Sequence, residues 1–356
     1  MIGKVKIRHL FLLAWLAALS TKAQVSSENY VQTTERISDT QVLSTTEYYD
    51  GLGRPFEMVE QKKTPDGANL IHLKEYDGLG RDWKTWLPVK DASDFLSISA
   101  ARSQGNNQYR DSHAFSLTEY DGSPLNRINT VEGVGAEWTS HPVKKDYLVN
   151  TSKYPLNCKY YRVSMQGQLQ DKGYYPEGRL YVTKTTDENG NESYEFKNIA
   201  GNVILKRTIC SIDEAADTYY IYDYRGNLAF VLPPNYQEEP SLDLYAYQYK
   251  YDGQGNCTWK KLPGCEPIYM KYDLSGRMIF LQDGNLRKKG LWEFYVYDEL
   301  GRLAVQGTTA STSDVSKIHV YALYTGAGIL DGYQLNGTTF TAKSLLITNF
   351  YDDYTF

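Results

Sequence analysis

The chain has 356 residues, a formal net charge of −5, 32 Tyr, 28 Gly, 12 Pro and 4 Cys. An apolar content of 41% supports a folded core and excludes wholesale disorder. The acidic balance argues against a nucleic-acid binder, which carries a basic face, and tyrosine at nearly one residue in eleven favours half-buried pleated surfaces, hence β-structure.

At the start, Lys4, Lys6 and Arg8 precede an apolar run from Leu10 to Leu19. That run is shorter than the about 20 residues that span a bilayer. Thr21, Lys22 and Ala23 follow, with small residues at the positions a signal peptidase reads. Residues 1–23 are therefore expected to be a secretory signal cut after Ala23, with an uncleaved anchor as the alternative. No Cys follows the run, so a lipoprotein is not expected. Cleavage takes Lys+Arg from 38 to 34 against 43 acids, leaving a charge of −9. No later segment is long and apolar enough to cross a membrane as a helix. A periplasmic, cell-surface or secreted protein is expected.

The first elements down the chain are two copies of one unit, Tyr49-Asp50-Gly51-Leu52-Gly53-Arg54 and Tyr76 to Arg81. Asp91 to Gln104 carries Ala92, Ala100 and Ala101 with few turn formers and could include a short helix. Ser103 to Ser112 is polar and reads as a loop. Tyr174-Tyr175-Pro176-Glu177-Gly178 reads as a turn. Asp187-Glu188-Asn189-Gly190-Asn191 resembles a fragment of a calcium loop, but it lacks the closing carboxylate and fits a hairpin turn better. The unit returns at Tyr222–Asn227, Tyr251–Asn256, Tyr272–Arg277 and Tyr297–Arg302. A degenerate copy at Asn198–Asn202 has Asn for Asp and a glycine that reads one place out of step. Tyr324-Thr325-Gly326-Ala327-Gly328 has Thr for Asp, and Tyr351-Asp352 opens a last copy. From Asn198 onward the Asp-equivalent positions are spaced by 21 to 29 residues, and Asp50 and Asp77 by 27.

The residue types explain the unit. Tyr ends a strand, Asp accepts backbone N–H groups and starts a tight turn, Gly takes positive φ, and Arg or Asn opens the return strand. Positive φ is thus expected at Gly226, Gly276 and Gly301. Half a period later lie further turn signals: Pro65-Asp66-Gly67, Pro233-Pro234-Asn235, Pro263-Gly264 and Asp283-Gly284-Asn285. One period is two strands and two turns, which predicts an all-β fold, a curved antiparallel meander of sequential hairpins. Tyr245, Tyr247, Tyr249 and Tyr251 alternate onto one face, as do Tyr220, Tyr222 and Tyr224. Such a ladder is either structural, holding the sheet together, or a surface for stacking sugars; its coincidence with the repeat favours the structural role.

The four cysteines, Cys158, Cys210, Cys257 and Cys265, suit an oxidising compartment and allow three complete connectivities. Cys257 and Cys265 are the natural pair by sequence. A two-residue turn at Pro263-Gly264 would, however, put Leu262 opposite Cys265 and leave Cys257 down the strand, beyond the roughly 7 Å a bridge tolerates. No catalytic, cofactor or metal residue stands out. There is no Gly-x-Ser-x-Gly, His-Glu-x-x-His or phosphate loop, and His72, His113, His141 and His319 are scattered.

The Tyr-Asp-x-x-Gly-Arg unit at this spacing resembles the YD repeat of the Rhs family, in particular the Rhs proteins of Bacteroides-group bacteria. Ser123-Pro124-Leu125-Asn126-Arg127, Trp138 and His141-Pro142-Val143 resemble the domain that precedes the repeats there. Tyr194–Asn198, Asp217–Tyr220, Val231–Pro234, Lys261–Gly264 and Gln282–Asn285 resemble phrases of the repeats themselves. The resemblance implies an N-terminal Rhs-associated β domain at 24–150 and a repeat region at 151–356. It implies a hollow β-shell around a toxin released by self-cleavage. The present sequence shows neither the shell-closing core, the cleavage site nor the toxin, so an open, incomplete strip with an unpaired edge is expected. The expected function is a non-catalytic shell segment of an exported toxin-like protein. Its partners would be the remainder of a longer shell or a toxin cargo, and no cofactor is implied. The alternative is a carbohydrate-binding or adhesive module whose partners are glycans.

Overall fold

The structure, a computed structural model, describes residues 28–38, 41–212, 214–328 and 330–351. The expected signal at 1–23 and the copy that continues at Asp352 lie outside the described residues. The chain divides into two compact units, residues 1–144 and 145–356.

In the first unit, Asn29–Arg36, Val42–Tyr49, Pro55–Glu60 and Asn69–Tyr76 pair in sequence order, each antiparallel to the next. Asn69–Tyr76 then carries Asp82–Trp86 along one end and Val89–Asp91 along the other. Phe115–Tyr120 and Ile128–Glu132 continue the series. Along Asn69–Tyr76 alternate residues are buried, as expected of a strand with one core face. That face packs Ile71 and Leu73 with Tyr48, Val59, Trp86 and Phe115.

A helix, Ile98–Tyr109, covers this core. It extends through the segment expected to be a loop from Ser103, although its composition is polar. Three features hold it. Ser97 caps its start by accepting the Ala100 N–H at 3.3 Å. Gly105 lets the backbone approach Trp86, to which a Cβ would come within 3.3 Å. Gln104 Nε2 and the Tyr109 hydroxyl donate to the carbonyls of Lys90 and Pro88 at 2.7 and 2.5 Å. These are tertiary contacts, which periodicity does not report.

In the second unit the meander runs Tyr181–Thr186, Glu192–Lys197, Val203–Ser211, Glu214–Tyr222, Leu228–Leu232, Tyr247–Tyr251, Cys257–Lys261, Ile268–Tyr272, Met278–Gln282, Trp292–Tyr297 and Leu303–Thr309. Each strand is antiparallel to the next, and Ala342–Thr348 follows beside Leu303–Thr309. Among the described residues the first strand of this series does not pair with the last, so the sheet is open. Two hairpins stand apart from it, Lys159–Val163 with Leu169–Tyr174 and Tyr321–Gly328 with Gly332–Asn336.

The antiparallel meander of sequential hairpins is the fold the spacing predicts, with local corrections. Pro233-Pro234-Asn235 and Asp283-Gly284-Asn285 do not simply turn; they open the short helices Pro234–Glu238 and Gly284–Lys288. Proline at a first helical position and the Asp283 side chain accepting the Leu286 N–H explain both starts. Tyr245 ends another short helix, Leu242–Tyr245, so the tyrosine alternation begins at Tyr247. Thr325 is not at a turn, because the strand Tyr321–Gly328 continues through it. Its single hydroxyl reaches the Ala327 N–H only at 3.4 Å and cannot do what a carboxylate does at a Tyr-Asp turn. At Pro263-Gly264 the turn is tight, with the Cys265 N–H donating to Leu262 O at 3.1 Å. Cys257 therefore begins the strand that Cys265 follows, and all four thiols are unbridged.

Candidate functional site

Six Tyr-Asp turns share one geometry. The Asp N–H donates to the carbonyl four residues on, and the Gly N–H donates back to the Asp carbonyl. One carboxylate oxygen accepts the N–H groups two and four residues later at 2.8–3.0 Å, in Asp50, Asp77, Asp223, Asp252, Asp273 and Asp298 alike. The other oxygen accepts the side chain of the closing Arg or Asn, for example Arg81 Nε at 2.7 Å or Asn256 Nδ2 at 3.0 Å. The six glycines have φ between 74° and 88°, including the three at which it was expected. The backbone N–H and then the guanidinium of the closing Arg hold the Asp50 and Asp77 carboxyls below the ordinary carboxylate range. Each turn also carries a register shift at its Tyr, a bulge that adds twist.

The tyrosines do more than end strands. The Tyr76 hydroxyl donates to Pro55 O at 2.7 Å, just past the preceding turn, and Arg54 of that turn lies 4.6 Å from the Tyr76 ring. Tyr120 repeats this on Asp82 O under Arg81, and Tyr351 on Leu303 O under Arg302. Tyr222 and Tyr251 donate to Val203 O and Leu228 O at 3.1 and 2.9 Å. Each tyrosine thus fastens its hairpin to the one before it, by a bond that stabilises by about 1 kcal/mol. Tyr297 has the cation over its ring, Arg277 at 5.6 Å.

Sequence reasoning missed one copy. Tyr120-Asp121 closes on Arg127, two residues later than usual, with Arg127 Nε 2.7 Å from Asp121 Oδ2. Asn126 supplies the left-handed residue at φ 53° in place of Gly. The Tyr-Asp pair was the available signal; the longer tip hid it. The copy at Asn198–Asn202 is in step after all, since Gly201 has φ 83°. At 187–191 the Asp187 carboxylate takes the N–H groups of Asn189 and Asn191 and the Asn191 amide, the same turn again.

The histidines are not brought together. His72 meets Glu60 at 3.2 Å, His113 meets Glu132 at 3.4 Å, and His141 bonds Ser140 at 2.9 Å. His319 bonds Ser275 at 2.7 Å on an exposed turn. Among the described residues no group of three or more His, Cys, Asp or Glu is placed to hold a metal ion.

Two further features were not legible. Arg207 is buried and forks onto Asp217 at 2.6 and 2.7 Å while donating to Pro155 O and Asn157 O. It pins the segment leading into the hairpin Lys159–Val163 to the meander. Between that hairpin and the sheet lies a groove of about 330 Å³, lined by Tyr160, Tyr175, Tyr220, Tyr222, Asn198 and Asn202 among others. Burial pushes the Tyr175 hydroxyl up to about 12.

Residues 20–149 match the family described as a domain of unknown function, DUF6443. No curated protein matches the chain in sequence. Among solved structures, the chain is similar to the crystal structure of TcdB2-TccC3-Cdc42, with TM-score 0.54, 15% identity, and coverage of 93% of this chain and 16% of that one. It is similar to TcdB2-TccC3 with TM-score 0.52, 15% identity, and coverage of 85% and 14%. The Photorhabdus luminescens Tc holotoxin pore with mutation TccC3-D651A gives TM-score 0.51, 16% identity, and coverage of 83% and 14%. The chain therefore spans about a sixth of the length of the first of these, and what is shared is the fold.

Proposed function

We propose that the chain is a non-catalytic structural segment of an exported, toxin-type β-shell of the Rhs kind, with the rest of a longer shell, or its cargo, as partner. The observation that carries this is the use of the repeated polar groups. The turn carboxylates are spent on backbone N–H groups and closing side chains, and tyrosine hydroxyls on the preceding hairpin. Groups held this way build a wall and leave little for acid–base chemistry. Fold likeness to Tc toxin chains supports the reading.

The test is to purify the protein from its native host, image it by electron microscopy, and follow its intact mass for days under protease inhibitors. The expected result is a hollow particle in whose wall this chain lies, with no internal cut made by the chain itself. Chain-sized particles that enclose nothing would overturn the shell. One discrete, inhibitor-resistant cut, abolished by a single Asp or Ser substitution within the chain, would overturn the non-catalytic part.

A further inference from the structure

We infer that the groove between Lys159–Val163 and the Asn198–Asn202 turn is a binding site for an acidic saccharide, a pyranose chain bearing carboxylates. This stands apart from the shell reading and can fail or hold without it.

Three observations converge. The first is shape and lining. The cavity is about 330 Å³, within the size range of small-ligand sites. Its tyrosines include Tyr160 and Tyr175, with ring centroids 4.5 Å apart at 46°, and Tyr220, Tyr222 and Tyr224 on the facing strand and turn. Rings of this kind offer flat apolar faces with a hydroxyl at the edge, matching the mixed surface of a sugar.

The second is the substitution in the turn. Asn198 stands where the six Tyr-Asp turns have Asp. Its side-chain oxygen performs the turn function, accepting Ala200 N–H at 3.0 Å and Asn202 N–H at 2.9 Å. Its amide nitrogen has no protein partner among the described residues, and neither does the Asn202 amide. In the copies that keep Asp, the corresponding Asn227 and Asn256 amides are consumed at 3.1 and 3.0 Å. The exchange keeps the turn, removes a negative charge from the groove and frees two carboxamides.

The third is charge. Arg162 lines the groove, is exposed, and has no carboxylate partner among the described residues. Asp223, the acid nearest in the lining, is taken up within its own turn by Arg225 N–H, Asn227 N–H and the Asn227 amide. The groove thus presents a planar guanidinium, which suits a carboxylate, beside amide donors and aromatic faces.

Calorimetric titration of the purified protein with tetragalacturonate, and with cellotetraose as the neutral comparator, tests this. Saturable binding of tetragalacturonate is expected, with the neutral tetramer much weaker. Arg162→Ala and Asn198→Asp should each cost about tenfold or more in affinity, as for loss of a charge-assisted bond or gain of a repelling charge. Asn198→Asp restores the residue the other copies use, so its melting temperature should not fall; a loss of binding in it cannot be ascribed to unfolding. No saturable binding up to millimolar concentrations, equal binding of the two tetramers, or undiminished affinity in both variants would overturn the assignment.

Discussion

Glu57 lies in the strand Pro55–Glu60 between Tyr48 and Leu73 of the neighbouring strands and is 1% exposed. One carboxyl oxygen accepts the Leu96 N–H at 2.9 Å, and the other has no partner among the described residues. The nearby Tyr48 hydroxyl is committed to Asp94 O, and Arg102 to Glu75. Burial with no compensating cation pushes the Glu57 carboxyl up from its ordinary 4.5 to about 7. The native state then holds a proton that the unfolded chain releases, so stability falls as pH rises from about 4.5 through 7. It is fully present below the lower value and lost above the higher one. The size of the full effect, 2.5 units from 4.5 to 7 at about 1.4 kcal/mol each, is about 3.5 kcal/mol. Glu57→Gln keeps an acceptor for Leu96 and cannot ionise. Urea denaturation followed by tryptophan fluorescence, for wild type and variant from pH 5 to pH 8, should show the variant gaining about 2.5 kcal/mol on the wild type across that range. Other titrating groups are common to both proteins and cancel in the difference. Parallel pH profiles would refute the reasoning.

Gly276 has φ 74°, so Gly276→Val should destabilise by about 1–2 kcal/mol or more. Gly253→Val, at a turn tip without positive φ and with open space around it, should change the denaturation midpoint little. Arg207→Met should cost about 3 kcal/mol, because it leaves the half-buried Asp217 carboxylate without its cation. Limited proteolysis of that variant should show early cutting at residues 164–168, the tip of the hairpin that the Arg207 contacts help to seat.

What the sequence disclosed was local chemistry. At Tyr49–Arg54 every turn contact lies within five residues, so the residue types are enough to name the turn. The copy at Tyr120–Arg127 was lost when the tip grew by two residues, although Asp121 and Arg127 still pair. The helix Ile98–Tyr109 was only partly legible, because the features that extend it past Ser103 are Trp86 beneath Gly105 and the Pro88 and Lys90 carbonyls, all brought there by the fold. Glu57 gave no signal, since an acid on a strand reads as a solvent-facing residue until the segment around Leu96 closes over it. The groove was equally hidden: Tyr160 and Asn198 are distant in sequence and meet only when the hairpin Lys159–Val163 is seated on the meander.

The two roles argued for the second unit are compatible because of how the repeat divides its labour. Backbone contacts at a Tyr-Asp turn need only one side-chain oxygen, and Asn198 provides it. The link to the next hairpin needs only the Val203 carbonyl, which Tyr222 reaches regardless of what stands at 198. Where the closing residue is Asn, the second carboxylate oxygen is therefore the dispensable part of the unit, contributing a single bond to that side chain. In an array stabilised by nearest-neighbour contacts, one copy can give up that bond at a local cost of about 1 kcal/mol without weakening its neighbours. A turn so modified keeps its place in the meander while its side chains become free to face a ligand. Of the two turns that border the tyrosine groove, at Asn198 and at Asp223, the first makes this exchange and the second keeps its carboxylate within its own turn.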